Sequence, residues 1–223
     1  KENTKGELEI GDMHLKVFPI VYFKIDGLVF KASEKFNRET IFACKESKLS
    51  FNLFSLIFGK PSITLKLIEP DLNISSDGKT NSISDVIIPK EESSNVDVSK
   101  YLFISRILFK IENADLKYKA PAKLYVSKGS NMTLELDPVL RSVNISTIIP
   151  IDAKEKEMSV NGQLSLSLYA HLSLNKSAKA ELNIDASKLN IKTSSFHKPK
   201  GTELVLYAKV EAKGEDKGAK IED

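Results

Sequence analysis

The chain has no tryptophan, one cysteine, three histidines and three methionines in 223 residues. A single cysteine, Cys44, excludes an intrachain disulfide framework. Its setting in IFACKES reads as an ordinary strand position, and a free cysteine of that kind is usually a small buried apolar residue. The histidines, His14, His171 and His197, have neither a second histidine nor a cysteine at metal-ligand spacing. The chain has no GxSxG elbow, no P-loop and no GxGxxG. Its carboxylates fall in turns or at exposed strand positions, so the sequence argues against an enzyme and requires no cofactor or metal. No apolar run approaches the roughly 20 residues of a membrane-spanning helix. With 33 basic and 30 acidic residues the net charge is +3. No basic block interleaved with aromatics appears, which argues against a nucleic-acid partner. The chain does not begin with methionine, and the expectation is a processed or excised piece of a longer protein.

Alternation is what the sequence does have. From Leu49 to Ile83 the residues Leu49, Phe51 and Leu53 fall on one strand face, and Ile63, Leu65 and Leu67 resume the same period after an apolar turn, FSLIFGK. Period two places every second side chain on one face of a sheet. The pattern begins at Leu8 and Ile10, and Asp26-Gly27 reads as a turn between Ile25 and Leu28. Tyr101 to Tyr118 has both a helical stripe and a strand pattern; its β-branched and aromatic content favours two strands around Glu112-Asn113. SKGSN reads as a turn between Val126 and Met132. The longest strict alternation runs from Val160 to Leu174, and Leu204 to Val210 makes the last strand.

These features give a mainly β protein: a curved, largely antiparallel sheet forming an open apolar groove, with short helical plugs such as FSLIFG. The expected organisation is an N-terminal β region at 1–88, a linker at 89–99, a C-terminal β-groove region at 100–212 and a charged disordered tail at 213–223. Strands with one apolar face must cover it. No long helix is foreseen as a lid, leaving a sandwich, a barrel or a trough filled by ligand. If a trough forms, its lining is expected at Phe23, Ile25, Phe51, Leu53, Ile63, Leu65, Leu67, Leu134, Leu136, Leu164, Leu166 and Leu168. The competing reading is a closed β-sandwich serving as a scaffold or adhesion domain. Four glycosylation sequons, at Asn73, Asn131, Asn144 and Asn175, arise readily by chance in a chain this rich in Asn, Ser and Thr.

The order of several loose motifs resembles the AsmA family of bacterial envelope proteins. Phe18-Pro19 stands for that family's "fP" element, and FNLFSLIFGK for its strand ending in an apolar turn closed by glycine. IEPDLNISSDGKTNSI matches its proline strand and Asp-Gly-x-x-Asn turn through Pro70, Leu72, Asp77, Gly78 and Asn81, and KIENADLKY its later strand. The resemblance is best from Gly6 to Asn81, extends to Tyr118 and is compositional beyond. It implies a lipid-binding module related to TamB-like and bridge-like lipid transfer proteins, moving or holding phospholipid between membranes for outer-membrane homeostasis. It further implies a periplasmic location, an inner-membrane anchor N-terminal to this sequence, acyl chains as ligand and an outer-membrane or envelope protein as partner. The family supplies no catalytic residues.

Overall fold

The computed structural model describes residues 6–17, 20–52, 54–55, 61–86, 104–121, 123–155, 157–173 and 177–212. They form one mainly β, curved and unclosed sheet. Its strands are β1 (Glu7–Lys16), β2 (Ile20–Lys31), β3 (Thr40–Asn52), β4 (Ser62–Ser75), β5 (Arg106–Ala120) and β6 (Lys123–Asp137). They continue as β7 (Ser142–Glu155), β8 (Met158–Leu172), β9 (Ala178–Asp185), β10 (Leu189–Lys192), β11 (His197–Lys198) and β12 (Val205–Ala212). Among the described residues, helix is limited to a 3-10 turn at Glu34–Phe36, Phe54 and Ser55 of the apolar turn, and α1 at Ser82–Val86. The rest of FSLIFGK, Phe18-Pro19, residues 89–99 and the tail at 213–223 lie outside the described residues, as does Leu53.

Strands β1 to β8 pair in chain order, antiparallel except for β4 with β5, which run parallel. The strands before and after residues 89–99 therefore belong to one continuous sheet. Long β8 then divides its outer edge: Ser165–Leu172 pairs with β9 and Ser159–Gly162 with β10. Gly162, at φ +137°, marks the division. A Cβ there would meet the Lys188 carbonyl oxygen at 2.2 Å, so the close approach of the neighbouring backbone requires glycine.

Several breaks expected as turns are irregularities inside longer strands. Asp26-Gly27 lies within β2, Glu112-Asn113 within β5 and SKGSN within β6. Gly27, Glu69, Asn113 and Gly129 all have positive φ, between 50° and 79°. Such residues interrupt strict alternation and bend a strand without ending it. Pro70 follows Glu69 at such a point, where its missing N–H is tolerated. The breaks line up: Gly11, Gly27, Lys45, Glu69 and Asn113 fall at one level across β1 to β5, each between paired residues of neighbouring strands. A crease therefore crosses the sheet.

The compact core sits at one end of that sheet. Ala32, Phe36, Ile41 and Val86 form it, with Phe30, Leu72 and Ile83 packed against it. Sequence chemistry fixes the turn leading there. Asp77 Oδ1 accepts the N–H groups of Lys79 at 2.8 Å and Thr80 at 2.7 Å, and Gly78 takes φ +89°. Those donors hold the Asp77 carboxyl at about 2, well below the ordinary carboxylate range. Asn81 Oδ1 then accepts the Ser84 N–H at 2.8 Å, capping α1. The Asp-Gly-x-x-Asn spacing thus codes a turn followed by a helix cap.

Candidate functional site

Pairing register shows which side chains share a face, because residues directly opposite one another project the same way. One row runs Leu15–Phe23–Leu49–Leu65–Phe109–Leu134–Ile145–Leu168–Leu182–Ala208, across ten strands. Beside it runs Met13–Ile25–Ser47–Leu67–Ile111–Met132–Thr147–Leu166–Ile184–Leu206. A third row joins Phe51, Ile63, Ile107, Leu136, Val143 and Ala170. Leu164 opposes Ile149 on the same face. Every expected lining residue except Leu53, which is not described, therefore projects from this one face.

The face continues past the crease. Strand β7 pairs with β8 residue by residue from Ser142 to Glu155, so Val143 and Ala153 share a face. Ala153 opposes Tyr125, which opposes Tyr118. Strand β5 carries that face to Leu116, opposite Leu72, then Phe42 and Phe30. The phase slip at the crease therefore keeps apolar residues on one side although their spacing changes from two to three.

Small residues lie along the crease on this side: Cys44, Ser47, Ala114, Ser127 and Ser130 are all at least nine-tenths buried. The large side chains away from it stay partly open, with Phe23 at 39% and Leu49 at 45% exposure. That gradient is the one expected for the inside of a bend, where walls shade the floor. The floor is not wholly apolar. Ser127 and Ser130 share a hydrogen bond of 2.7 Å, whereas Ser47 Oγ is buried without a hydrogen-bond partner. Cys44 donates its S–H towards the carbonyls of Glu46 at 3.2 Å and Ile68 at 3.6 Å.

The opposite face is polar. Lys24, Lys48, Lys66 and Lys110 oppose one another across four strands. Like charges so placed repel, and carboxylates answer them: Lys24 lies 3.0 Å from Asp26 and 3.3 Å from Glu46, and Lys66 lies 2.8 Å from Glu112. Lys48 sits over the Tyr22 ring at 4.2 Å. The pattern is that of a solvated, charge-paired surface.

The three histidines lie apart, each with its own partner. His14 faces Asp26 at 3.3 Å, His171 lies 3.4 Å from Ser173 Oγ, and His197 contacts Asn190 at 3.1 Å. Among the described residues no three His, Cys, Asp or Glu side chains converge as a metal site, and no helix is long and apolar enough to cross a membrane.

No protein-family model matches this chain. Comparison with curated proteins finds no match either, so the likeness to the AsmA family rests on the residues quoted above. Sequence reasoning missed the face's aromatic and β-branched members in β5 and β7, Phe109, Ile107, Ile145 and Ile149. Their alternation was legible; their common face emerged only from the register.

Proposed function

We propose that this chain is a lipid-binding module whose apolar face holds acyl chains along a trough. The observation that carries the reading is the continuous apolar face, whose two longest rows cross ten strands with no covering layer among the described residues. Soluble monomers rarely expose contiguous apolar patches beyond a few hundred Å². At about 4.8 Å per strand step the longest row spans roughly 43 Å, well beyond the ~15 Å of one leaflet's hydrocarbon. A whole acyl chain can therefore lie along it, each buried methylene contributing ~0.8 kcal/mol. Contacts of this kind strengthen with the length of chain buried and read the headgroup hardly at all.

The wider setting follows from the sequence resemblance alone: a periplasmic module of an inner-membrane-anchored protein, moving or holding phospholipid for outer-membrane homeostasis, with an envelope protein as partner. Native mass spectrometry of the purified chain tests the central claim. Phospholipid adducts that survive mild activation and vanish after delipidation are expected. A lipid-free spectrum, with no uptake from phosphatidylethanolamine vesicles, would overturn it and leave a scaffold role.

A further inference from the structure

The apolar face is covered at one place, and by the chain itself. Phe30 and Leu72, which belong to the face, pack against the cluster containing Val86 of α1, and Ile83 joins them. Val86 is completely buried and Ser82 is 1% exposed. A Cβ on Gly6 would meet Val86 Cγ1 at 2.6 Å and Phe30 Cζ at 2.8 Å, so those side chains converge tightly. Polar bonds pin the helix at both ends. Ser82 Oγ accepts the Ser75 N–H at 3.2 Å, and Ser33 Oγ donates to the Asp85 carboxylate.

A helix that seats Ile83 and Val86 on an acyl-binding face occupies the volume an acyl chain would fill. We propose that α1 is a built-in stopper: it closes the trough over Phe30 and Leu72, confining acyl chains on β2 to β4 to the rows across the crease, where Phe23, Leu49 and Leu65 lie. This inference rests on the lipid-binding reading and adds a boundary to it. A closed end means that chains enter and leave from the side away from α1. It also makes the Ser33–Asp85 bond a positioning contact, since it holds the helix down without touching lipid.

Photo-leucine incorporated throughout the full chain gives a test that alters no leucine site appreciably in shape. The protein is irradiated with phosphatidylethanolamine vesicles, and lipid adducts are mapped by mass spectrometry. Adducts are expected at Leu65, Leu134 and Leu168, with at least about tenfold fewer at Leu72, a ratio corresponding to ~1.4 kcal/mol. In Ser33→Ala, or in Val86→Ala where the first variant does not fold, adducts at Leu72 should rise to the level of Leu65. Labelling of Leu72 as strong as that of Leu65 in the unaltered chain would overturn the stopper and leave the lipid reading intact. Persisting protection of Leu72 after hydrogen exchange shows α1 released would do the same. Absence of adducts at every leucine would overturn both.

Discussion

Leu65→Lys is the most informative single change. Leu65 lies mid-row between Leu49 and Phe109 and is half-buried. Full burial of a leucine side chain is worth ~1.5–3 kcal/mol, so losing most of it costs about 1–2 kcal/mol. Lysine recovers part of that by laying its stem on the apolar surface with its ammonium in water. The domain should therefore stay folded, with a urea midpoint only modestly lowered. Were this face instead buried in a dry core, an unpaired ammonium there would cost several kcal/mol and unfold the chain.

Lipid binding should respond much more strongly. An ammonium at position 65 strips water-free contact from roughly four methylenes of a chain lying along the row, ~3 kcal/mol at ~0.8 each. That is about a hundredfold in affinity. Uptake of a fluorescent phospholipid, titrated alongside urea unfolding, separates the two quantities. Ser167→Lys is the control, because Ser167 is exposed and its partner Ser146 is on the polar face. The reasoning is refuted if Leu65→Lys binds lipid as the parent does, or if it unfolds while Ser167→Lys remains folded.

Three further outcomes follow from single residues. Asp77 should titrate at about 2 by carboxyl NMR; because its folded value is depressed, its stabilisation is full above the unfolded carboxylate value near 3.9 and is lost as pH falls towards 2, a dependence that Asp77→Asn removes. Gly162→Ala should destabilise more than Gly129→Ala in urea melts: both glycines have positive φ, costing about 1–2 kcal/mol for an L-residue, but only at Gly162 does the new Cβ strike backbone; equal losses would refute the close-approach account. Cys44, 2% exposed, should resist a thiol reagent in the native state and react on unfolding, and reductant should leave the melting temperature unchanged. Rapid native reaction would mean that the crease opens.

Much of the fold was legible because alternation is a backbone property. A strand such as β8 shows its face from Leu164 to Ala170 without reference to any neighbour. Leu65, Leu134 and Leu168 share a face because each occupies the apolar phase of its own strand. What was not legible was the direct parallel pairing of β4 with β5, because that contact joins residues forty or more positions apart. The role of α1 was hidden for the same reason: Ser82–Val86 is too short to show a helical stripe, and its partners Phe30 and Leu72 are set by tertiary packing.

The misread turns hold the clearest lesson about this chain. Asp26-Gly27 and Glu112-Asn113 are turn-forming dipeptides by local chemistry, and a hairpin at each was the natural reading. Yet the apolar positions on either side slip by three instead of two: Ile25 to Leu28, Leu67 to Pro70, Ile111 to Ala114. A hairpin would reverse the chain, whereas a slip of three compensates for one residue in the left-handed region and returns the apolar side chain to the same face. The same spacing of three, from Ile10 to Met13, occurs in β1 without a residue in the left-handed region. In five consecutive strands it falls at one level. Aligned across five paired strands, these breaks crease the sheet while keeping apolar residues on one face. A sandwich core has no need of that, because a second sheet would cover the face without bending. The aligned slips are therefore the sequence-level signal of a trough, and they lie in the half of the chain where the motif resemblance is also strongest.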